Sequence, residues 1–474
     1  MDRRLSEKNR NELDAQHAAV LRSRDRRGLL RRLRVAAAGS ADFSSNDYLG
    51  LGRSEQVHNL FVAQLSNSIV PPSASESISK SVPKLKSAFD IPASGLSTIT
   101  TMGVRNGSGG SRLLAGDSHV ARALESRLAA FHDASSALLF NSGWDANSAM
   151  LAVASHEHGS ILFDELIHAS MHEGLRRVRP SVAVESFRHN NTKSLASLVD
   201  QHCKRITASP NPTAGILVVV EALYSMDGDC APLPEIVAIK RRLGDRAGGI
   251  HIIVDEAHSS GVCGQNGRGL VYQFNLQSDI YARLHTFGKA LGQHGAVVLC
   301  SPIFREYLIN YARPLIYSTS LPYHSLTAIN VAYDVLEQRA DELQDGLRAL
   351  ILHFRSTLTA KIFPLGMSAI DSQTPIQGII ISGNDRVSLV CERLQSAGYD
   401  VRPIRSPTVP KGSERLRICL HAYNTVAEID GLISEIQAAL IIEESEFGSK
   451  GEKRLGKFQT GGGQFVNGLA TSKL

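Results

Sequence analysis

The run Ile250-His-Ile-Ile-Val254, followed at once by Asp255-Glu-Ala-His258, decides the fold of this chain. A short, mostly apolar run predicts a strand that is covered on both faces, as in a parallel sheet. Further along, the turn Thr286-Phe-Gly-Lys289 presents a lysine thirty-one residues after the histidine. An acid, a histidine and a lysine placed in this order predict a site for chemistry at the end of the strand.

These residue types are the ones that a pyridoxal phosphate (PLP) site needs. The Asp255 carboxylate can keep the pyridine nitrogen protonated, and the Lys289 amine can carry the aldehyde as a Schiff base. Thr286 offers a hydroxyl to the phosphate three residues before the lysine. Each fragment alone also fits a structural role or a solvated turn, but their order and spacing favour the cofactor site.

Strand-like and helical segments alternate between residues 105 and 325, which predicts an α/β fold with a mostly parallel sheet. A smaller α+β unit should follow, with a helix over 332–343, a strand over 378–382 and a last helix after the capping box Thr425-x-x-Glu428. In the larger unit we predict strands at 137–140, 161–163, 216–220, 252–254 and 296–299. The predicted regions are a basic helix and extended segment (1–65), an inserted Ser/Pro-rich loop (66–100), the cofactor-binding major domain (101–325), the small C-terminal domain (326–446) and a flexible tail (447–474).

Positive charge is concentrated at the front of the chain, where residues 1–34 hold ten Arg and one Lys against five acids. A solvated amphipathic helix explains such a run, and a docking surface for an anionic, nucleotide-bearing substrate is the functional alternative. The five acids disfavour a mitochondrial transit peptide, and the lack of interleaved aromatic residues disfavours nucleic-acid binding. No apolar run is long enough to suggest a membrane span.

The six cysteines are scattered without a C-x-x-C pair, so the sequence suggests neither a metal site nor a disulfide framework. The printed sequence closes on Ser472-Lys473-Leu474, the peroxisomal address. Because the preceding tail is rich in glycine, we expect a peroxisomal import receptor to read this signal. Without that signal, the protein would be cytoplasmic.

Several motifs together carry a resemblance to a known family. They are Ser45-Asn-Asp-Tyr-Leu-Gly50, Gly107-Ser-Gly-Gly-Ser-Arg112, Asn141-Ser-Gly-Trp-Asp-Ala-Asn147, Ser225-Met-Asp-Gly-Asp229, Thr286-Phe-Gly-Lys289, Ile316-Tyr-Ser-Thr-Ser-Leu-Pro322, and Pro407-Thr-Val-Pro410 with Arg415-Leu-Arg417. From about residue 27 to 440, apart from 66–100, the chain resembles the α-oxoamine synthases, which are fold-type I PLP-dependent transferases. Members of this family condense an amino acid with an acyl-CoA and release CO2.

The resemblance implies a role for each matching cofactor residue. Lys289 would bind the cofactor and shuttle the Cα proton, Asp255 would face the ring nitrogen, and His258 would reach the ring hydroxyl. His168 would stack on the ring, and Ser225 would contact the cofactor through its hydroxyl. The phosphate would lie at the helix start formed by Ser142, Gly143 and Trp144, with Thr286 beside it and Thr319 reaching it from the neighbouring subunit of a homodimer.

The resemblance also implies the substrates. Arg417 would grip the amino acid carboxylate with its planar fork, with help from Asn46, and Thr408 would contact the substrate. Arg31 matches an arginine that reaches the acyl-CoA. The nearest match within the family is the biotin-pathway member that uses L-alanine and pimeloyl-CoA. Members that use glycine, and a non-catalytic partner subunit on the same fold, remain as alternatives, although Lys289, Asp255 and His258 together disfavour the latter.

Overall fold

The computed structural model describes residues 2–27, 29–69, 106–154, 158–208, 214–244 and 246–455 of the 474. Its centre is a seven-stranded sheet, in which all neighbours pair in parallel except at β8, which is antiparallel to both β7 and β2. The strands are β2 (Ser136–Phe140), β3 (His158–Asp164), β4 (Ala183–Phe187), β5 (Gly215–Glu221), β6 (Ile250–Asp255), β7 (Ala282–Thr286) and β8 (Ala296–Cys300). Their order across the sheet is β2-β8-β7-β6-β5-β3-β4. The predicted mostly parallel α/β fold is confirmed.

Helices cover both faces of this sheet, which explains why β5 is apolar and buried along its whole length. One face packs against α4, through Ala149 and Met150, and the other packs against α6 and α7, through Val199 and Val237. The helices in this part of the chain are α3 (His119–Phe131), α4 (Gly143–Ala154), α5 (Ala169–Leu175), α6 (Thr192–Thr207), α7 (Leu233–Leu243), α8 (Leu270–Gln273), α9 (Pro302–Tyr311) and α10 (Arg313–Tyr317).

The C-terminal part is built around a four-stranded antiparallel sheet in the order β12-β13-β10-β9. Its elements are α11 (Tyr323–Lys361), β9 (Ser368–Ala369), β10 (Ile376–Ile380), α12 (Asn384–Ser396), β11 (Tyr399–Asp400), β12 (Arg402–Ile404), β13 (Arg415–Cys419) and α13 (Val426–Leu455). The N-terminal part contains α1 (Asp2–Arg26), β1 (Ala41–Asp42) and α2 (Glu55–Ile69). Because β1 pairs in parallel with β11, the segment after it is tied to the C-terminal part of the chain.

Several boundaries differ from those predicted. Helix α11 begins at Tyr323, directly after Pro322, and runs for 39 residues, so the helix predicted over 332–343 is only its middle. Helix α2 continues through the first four residues of the predicted loop over 66–100, and the rest of that loop lies outside the described residues. Helix α13 continues to Leu455, and the predicted tail beyond it, with the Ser-Lys-Leu signal, also lies outside the described residues.

Helix α13 begins at the capping box that the sequence predicts. The Thr425 Oγ1 accepts the backbone N–H of Glu428 at 3.1 Å, and the Glu428 carboxylate accepts the N–H of Thr425 at 2.8 Å. These reciprocal bonds confirm the predicted capping box. None of the described helices combines the length and the hydropathy that a bilayer span requires.

Candidate active site

The carboxyl ends of the parallel strands bring several polar side chains to one edge of the sheet. Glu221 ends β5 and Asp255 ends β6, and the two are direct register partners. Thr286 ends the next strand, β7, and Lys289 follows three residues later. Crevices at this edge are where open α/β sheets bind ligands. Residues that are far apart in the sequence therefore meet here.

The Asp255 side chain is held in one orientation by two donors. The Asn147 Nδ2 donates to its Oδ2 at 2.7 Å, and the backbone N–H of Ala257 donates to its Oδ1 at 2.8 Å. The same Asn147 Nδ2 also donates to the Ser170 hydroxyl at 3.0 Å, so both of its hydrogens are used and the amide is fixed in place. A buried carboxylate with both oxygens bonded is well placed to face a protonated ring nitrogen.

The Lys289 amine lies in the same buried group. Burial lowers its pKa below the ordinary value for lysine, the charge of Arg417 lowers it further, and the carboxyl groups of Asp255 and Glu221 act in the opposite direction. A lysine with a lowered pKa has a larger fraction of neutral amine, which is the form that attacks an aldehyde. The ammonium of residue 289 and the carboxylate of residue 255 thus share one site.

Glu221 is a second buried carboxyl group, which the sequence analysis did not single out. Burial raises its pKa well above the ordinary value, the neighbouring Asp255 raises it further, and Lys289 opposes the shift. Ionising two neighbouring buried carboxyl groups is unfavourable, so Glu221 retains its proton beside Asp255. Its position in the sequence was the available signal: Glu221 directly follows the apolar run 216–220, just as Asp255 directly follows the run 250–254.

The predicted carboxylate clamp joins two distant parts of the chain. The Nη2 of Arg417, on β13, donates to the Asn46 Oδ1 at 3.1 Å, and the Arg417 Nε donates to the Ser225 carbonyl at 2.9 Å. Tyr48 donates to the same Asn46 oxygen at 3.1 Å and contacts the His258 Nδ1 at 2.8 Å. One hydrogen-bonded group therefore contains Arg417, Asn46, Ser225 and His258.

His168 lies at the open side of this group. Its Nδ1 accepts the N–H of Ser170 at 3.2 Å and thereby caps α5. The Trp144 ring meets the His168 ring edge to face, with centroids 6.1 Å apart. Burial and the charge of Lys289 lower the His168 pKa, with Asp255 opposing. A neutral imidazole with an exposed face suits stacking on a cofactor ring.

The residues predicted to hold the phosphate meet where α4 begins. The Ser142 Oγ accepts the N–H of Asp145 at 3.1 Å, so Ser142 caps the helix and the first amides are available to an anion. A Cβ on Gly143 would lie 2.5 Å from the Thr286 Cγ2, so only glycine lets the two segments approach this closely. The buried Thr286 Oγ1 has no hydrogen-bond partner among the residues that the structure describes. An orphaned hydroxyl beside a free helix N-terminus fits a phosphate group.

Three further predicted residues lie outside this buried group. The Thr319 carbonyl accepts the Asn141 Nδ2 at 2.7 Å, which places Thr319 beside the turn that leads into α4. Thr408 is exposed in the turn after β12, where its N–H bonds the carbonyl of Arg405 at 2.9 Å. Arg31 is exposed in the extended chain after α1. Within the described part of this single chain, no hydrogen bond links Thr319, Thr408 or Arg31 to Lys289 or Asp255.

Two residues quoted within motifs, Asn147 and Tyr48, turn out to touch the predicted site residues. Asn147 is almost fully buried on α4, and its Oδ1 has no partner among the described residues. Their residue types carried no chemical signal, since a buried amide or phenol is ordinary in a core. No group of His, Cys, Asp and Glu in the described segments could hold a metal ion.

Comparison with known proteins agrees with this arrangement. The family model for class I and II aminotransferases matches residues 42–436. An 8-amino-7-oxononanoate synthase from Emericella nidulans is 39% identical over 430 residues, which cover 88% of this chain and 93% of the relative.

Two solved structures have the same fold. A serine palmitoyltransferase solved with PLP is 25% identical, with a TM-score of 0.69 and coverage of 85% of this chain and 88% of that one. An 8-amino-7-oxononanoate synthase from Francisella tularensis is 24% identical, with a TM-score of 0.63 and coverage of 86% and 99%. The second likeness shows the fold alone.

Proposed function

We propose that this chain condenses L-alanine with pimeloyl-CoA. It belongs to the α-oxoamine synthases within the class I and II aminotransferase family. The products are 8-amino-7-oxononanoate, CoA and CO2, and the reaction belongs to biotin biosynthesis. The protein is a PLP-dependent enzyme on the fold-type I architecture. The observation that carries the proposal is the edge of the sheet where Asp255 ends β6 and Thr286 ends β7, three residues before the buried Lys289, with the clamp of Arg417 and Asn46 beside it.

PLP supplies, when bound, an electron-withdrawing ring that stabilises negative charge on the amino acid Cα. Lys289 would hold the cofactor and then, as an amine with a lowered pKa, accept the Cα proton. Asp255 would hold a proton on the ring nitrogen, because its own orientation is fixed by Asn147. Ser142, Gly143 and Thr286 would bind the phosphate.

Substrate orientation would come from the clamp. The guanidinium of Arg417 would bind the substrate carboxylate through two parallel donors and would thereby fix which Cα bond is placed to break. The new bond joins Cα to the acyl carbon of the thioester, and CoA leaves as the thiol. The carboxylate that Arg417 held leaves as CO2, and a proton replaces it at Cα.

The decisive test is a substrate panel with purified, PLP-loaded protein. L-alanine or glycine is combined with acetyl-CoA or pimeloyl-CoA, and the products are identified by mass spectrometry. We expect the mass of 8-amino-7-oxononanoate with L-alanine and pimeloyl-CoA, and in Lys289→Ala the loss of both the product and the absorbance band of the lysine-bound cofactor. Product from glycine and acetyl-CoA alone would overturn the substrate assignment.

We also propose that the active enzyme is a homodimer. The segments around residues 112–121, 139–145 and 314–326 line one surface pocket, and large apolar side chains are exposed on these segments. The exposed fractions are 87% for Leu114, 48% for Trp144 and 76% for Tyr317. Apolar exposure concentrated in one region is typical of an interface. Thr319 lies in the same region and would reach the partner's phosphate there.

Localisation is a separate proposal. We propose that Ser472-Lys473-Leu474 directs the protein to peroxisomes through the import receptor that reads this tripeptide. A fluorescent protein fused in front of residues 447–474 should accumulate in peroxisomes. The same fusion ending at Thr471 should remain in the cytoplasm, and equal distribution of the two fusions would contradict the proposal.

A further inference from the structure

The Tyr48 side chain is fully buried and connects the carboxylate clamp to the histidine predicted to contact the cofactor. Its hydroxyl lies 2.8 Å from the His258 Nδ1 and 3.1 Å from the Asn46 Oδ1. The Arg417 Nη2 donates to that same Asn46 oxygen at 3.1 Å. An unbroken line of hydrogen bonds therefore runs from Arg417 through Asn46 and Tyr48 to His258.

Counting protons along this line leaves two arrangements. The Tyr48 hydroxyl has one proton, and the Asn46 Oδ1 can only accept. If Tyr48 donates to Asn46, the His258 Nδ1 must donate to the Tyr48 oxygen, and the His258 Nε2 is then an acceptor. If Tyr48 donates to His258 instead, the imidazole carries its proton on Nε2. The group that accepts the Tyr48 proton therefore determines which nitrogen of His258 is protonated.

His258 stays neutral in both arrangements. Burial lowers its pKa well below the ordinary value, and the charges of Lys289 and Arg417 lower the pKa further, as would any protonation of His168. The change is therefore a tautomer shift: the Nδ1 proton is released to solvent as the Tyr48 hydroxyl becomes the donor in their bond, and one proton from solvent binds Nε2. The net charge of the site does not change.

We propose that Tyr48 is a positioning residue that couples occupancy of the carboxylate clamp to the proton position on His258. A carboxylate that takes the donors of Arg417 and of the Asn46 amide turns the Asn46 oxygen away from Tyr48. The Tyr48 hydroxyl then donates to the His258 Nδ1, so the imidazole carries its proton on Nε2, on the side of the ring away from Tyr48. This inference rests on the proposed function, because it assumes that Arg417 and Asn46 receive the substrate carboxylate.

The test uses the PLP-loaded full-length protein and propionate, a carboxylate of the size of alanine that lacks the amine. The pH midpoint of the cofactor absorbance is measured with and without propionate, in wild type, Tyr48→Phe and Tyr333→Phe. Tyr333 is a matched control, since it is also buried and its hydroxyl lies 2.9 Å from the Nε2 of His132 in the core. Competition with L-alanine verifies that propionate binds each variant.

We expect propionate to shift the midpoint by about half a pH unit or more in wild type and in Tyr333→Phe, roughly the effect of one hydrogen bond. In Tyr48→Phe the midpoint should not respond, although propionate still competes with L-alanine. An equal shift in Tyr48→Phe, or no shift in a wild type that binds propionate, would overturn the coupling and leave the proposed function standing. A wild type without any cofactor absorbance would overturn both.

Discussion

Two carboxyl groups and one amine meet where β5 and β6 end, so the charge on each depends on the other two. Asp255 has two hydrogen-bond donors, from Asn147 and Ala257, that stabilise its ionised form. Glu221 is buried beside it and has its pKa raised by burial and by Asp255. The pair resembles other sites in which neighbouring acids are driven to different protonation states. In this site, Glu221 keeps its proton beside an aspartate that accepts two hydrogen bonds.

Replacing Glu221 with glutamine tests this division. The unfolded chain releases the Glu221 proton above the ordinary pKa of 4.5, whereas the folded chain keeps it, so this residue destabilises the wild type increasingly as the pH rises above 4.5. Glu221→Gln removes that cost, so its melting temperature relative to wild type should rise between pH 4 and pH 8. Glu235→Gln, on the exposed side of α7, is the control and should show no such trend. A relative melting temperature for Glu221→Gln that falls over this range would show that Glu221 is ionised in the folded state.

How well the sequence predicts individual residues depends on how special their chemistry is. Lys289 and Asp255 were identified because an amine and an acid at those positions have few structural explanations when found together. Glu221 and Tyr48 were not singled out, because their role depends on which neighbours the fold brings to them. The contact between Tyr48 and His258 spans 210 residues, and no local pattern encodes it.

At the scale of elements, the start of α4 packs closely against the end of β7. A Cβ on Gly143 would meet the Thr286 Cγ2 at 2.5 Å, so Gly143→Ala must push the helix start away from Thr286. We expect the affinity for PLP to fall about tenfold or more, since one or two hydrogen bonds to the phosphate lengthen. Titration of the apoprotein with PLP, followed by absorbance, measures this.

Gly346→Ala is the control for that substitution. Gly346 lies inside α11, where a Cβ would meet no atom within 4 Å. Alanine there should leave PLP affinity unchanged and stabilise the helix by about 0.5–1 kcal/mol. If both variants bind PLP as wild type does, the phosphate does not lie at the start of α4.

The strands that the sequence predicted are those whose buried side chains are mostly apolar. Strand β5 is apolar on both faces, so its run of Ile, Leu and Val was sufficient. The edge strand β4 was not predicted, because three consecutive residues of it are exposed. Strand β7 was also missed, because it contains Arg283 and His285. Arg283 donates to the His132 carbonyl at 2.9 Å and His285 bonds the Ser260 hydroxyl at 2.8 Å, contacts that only the folded chain provides.

His189 ties the loops at the carboxyl ends of three strands together. Its Nδ1 lies 2.9 Å from the Asp164 Oδ1, and its Nε2 lies 2.8 Å from the Asp229 Oδ2. Burial lowers the His189 pKa, but the bonds to the two carboxylates outweigh it and raise the pKa to about 10. The stabilisation is therefore complete below the ordinary pKa of 6.5 and is lost as the pH rises toward 10.

His189→Gln should accordingly cost about 2 kcal/mol of the free energy of unfolding at pH 6, with a gap to wild type that narrows toward pH 10. Denaturant titrations at pH 6, 8 and 10 measure the gap. His353→Gln removes a more exposed pair, in which the His353 Nε2 lies 2.7 Å from the Asp430 Oδ1, and should cost only a few tenths of a kcal/mol. A His189→Gln gap that widens with pH would contradict a protonated His189.

At the scale of the whole molecule, three parts of the chain complete one site. The segment after β1 supplies Asn46, the large sheet supplies Lys289, and β13 supplies Arg417. The first part is fastened to the third by Asp42, whose carboxylate accepts the Tyr423 hydroxyl at 2.9 Å and whose carbonyl accepts the Asn424 Nδ2 at 3.2 Å. This fastening fixes where Asn46 meets Arg417, so the clamp depends on packing far from the cofactor.

The homodimer would add a fourth contribution, Thr319 from the partner, and mixing inactive variants tests it. One preparation carries Lys289→Ala and the other carries Thr319→Ala, and the two are unfolded together and refolded with PLP. If Thr319 acts across the interface, each mixed dimer contains one site with both residues intact. Activity should then recover to about a quarter of wild type, since half of the dimers are mixed and half of their sites are whole. If Thr319 instead serves the site of its own chain, no site is restored, and activity stays near the average of the two variants.

A second mixture is the control for effects of refolding and chain exchange. Lys289 and Arg417 influence each other's charge within one chain, so a mixture of Lys289→Ala and Arg417→Ala contains no intact site in any dimer. It should therefore show no recovery under the same refolding conditions. Recovery in the first mixture without recovery in the second would show that Thr319 contributes to the partner's site, whereas Arg417 contributes to the site of its own chain. Recovery in both would mean that chain exchange restores activity for reasons unrelated to Thr319, and the shared-site arrangement would then fail.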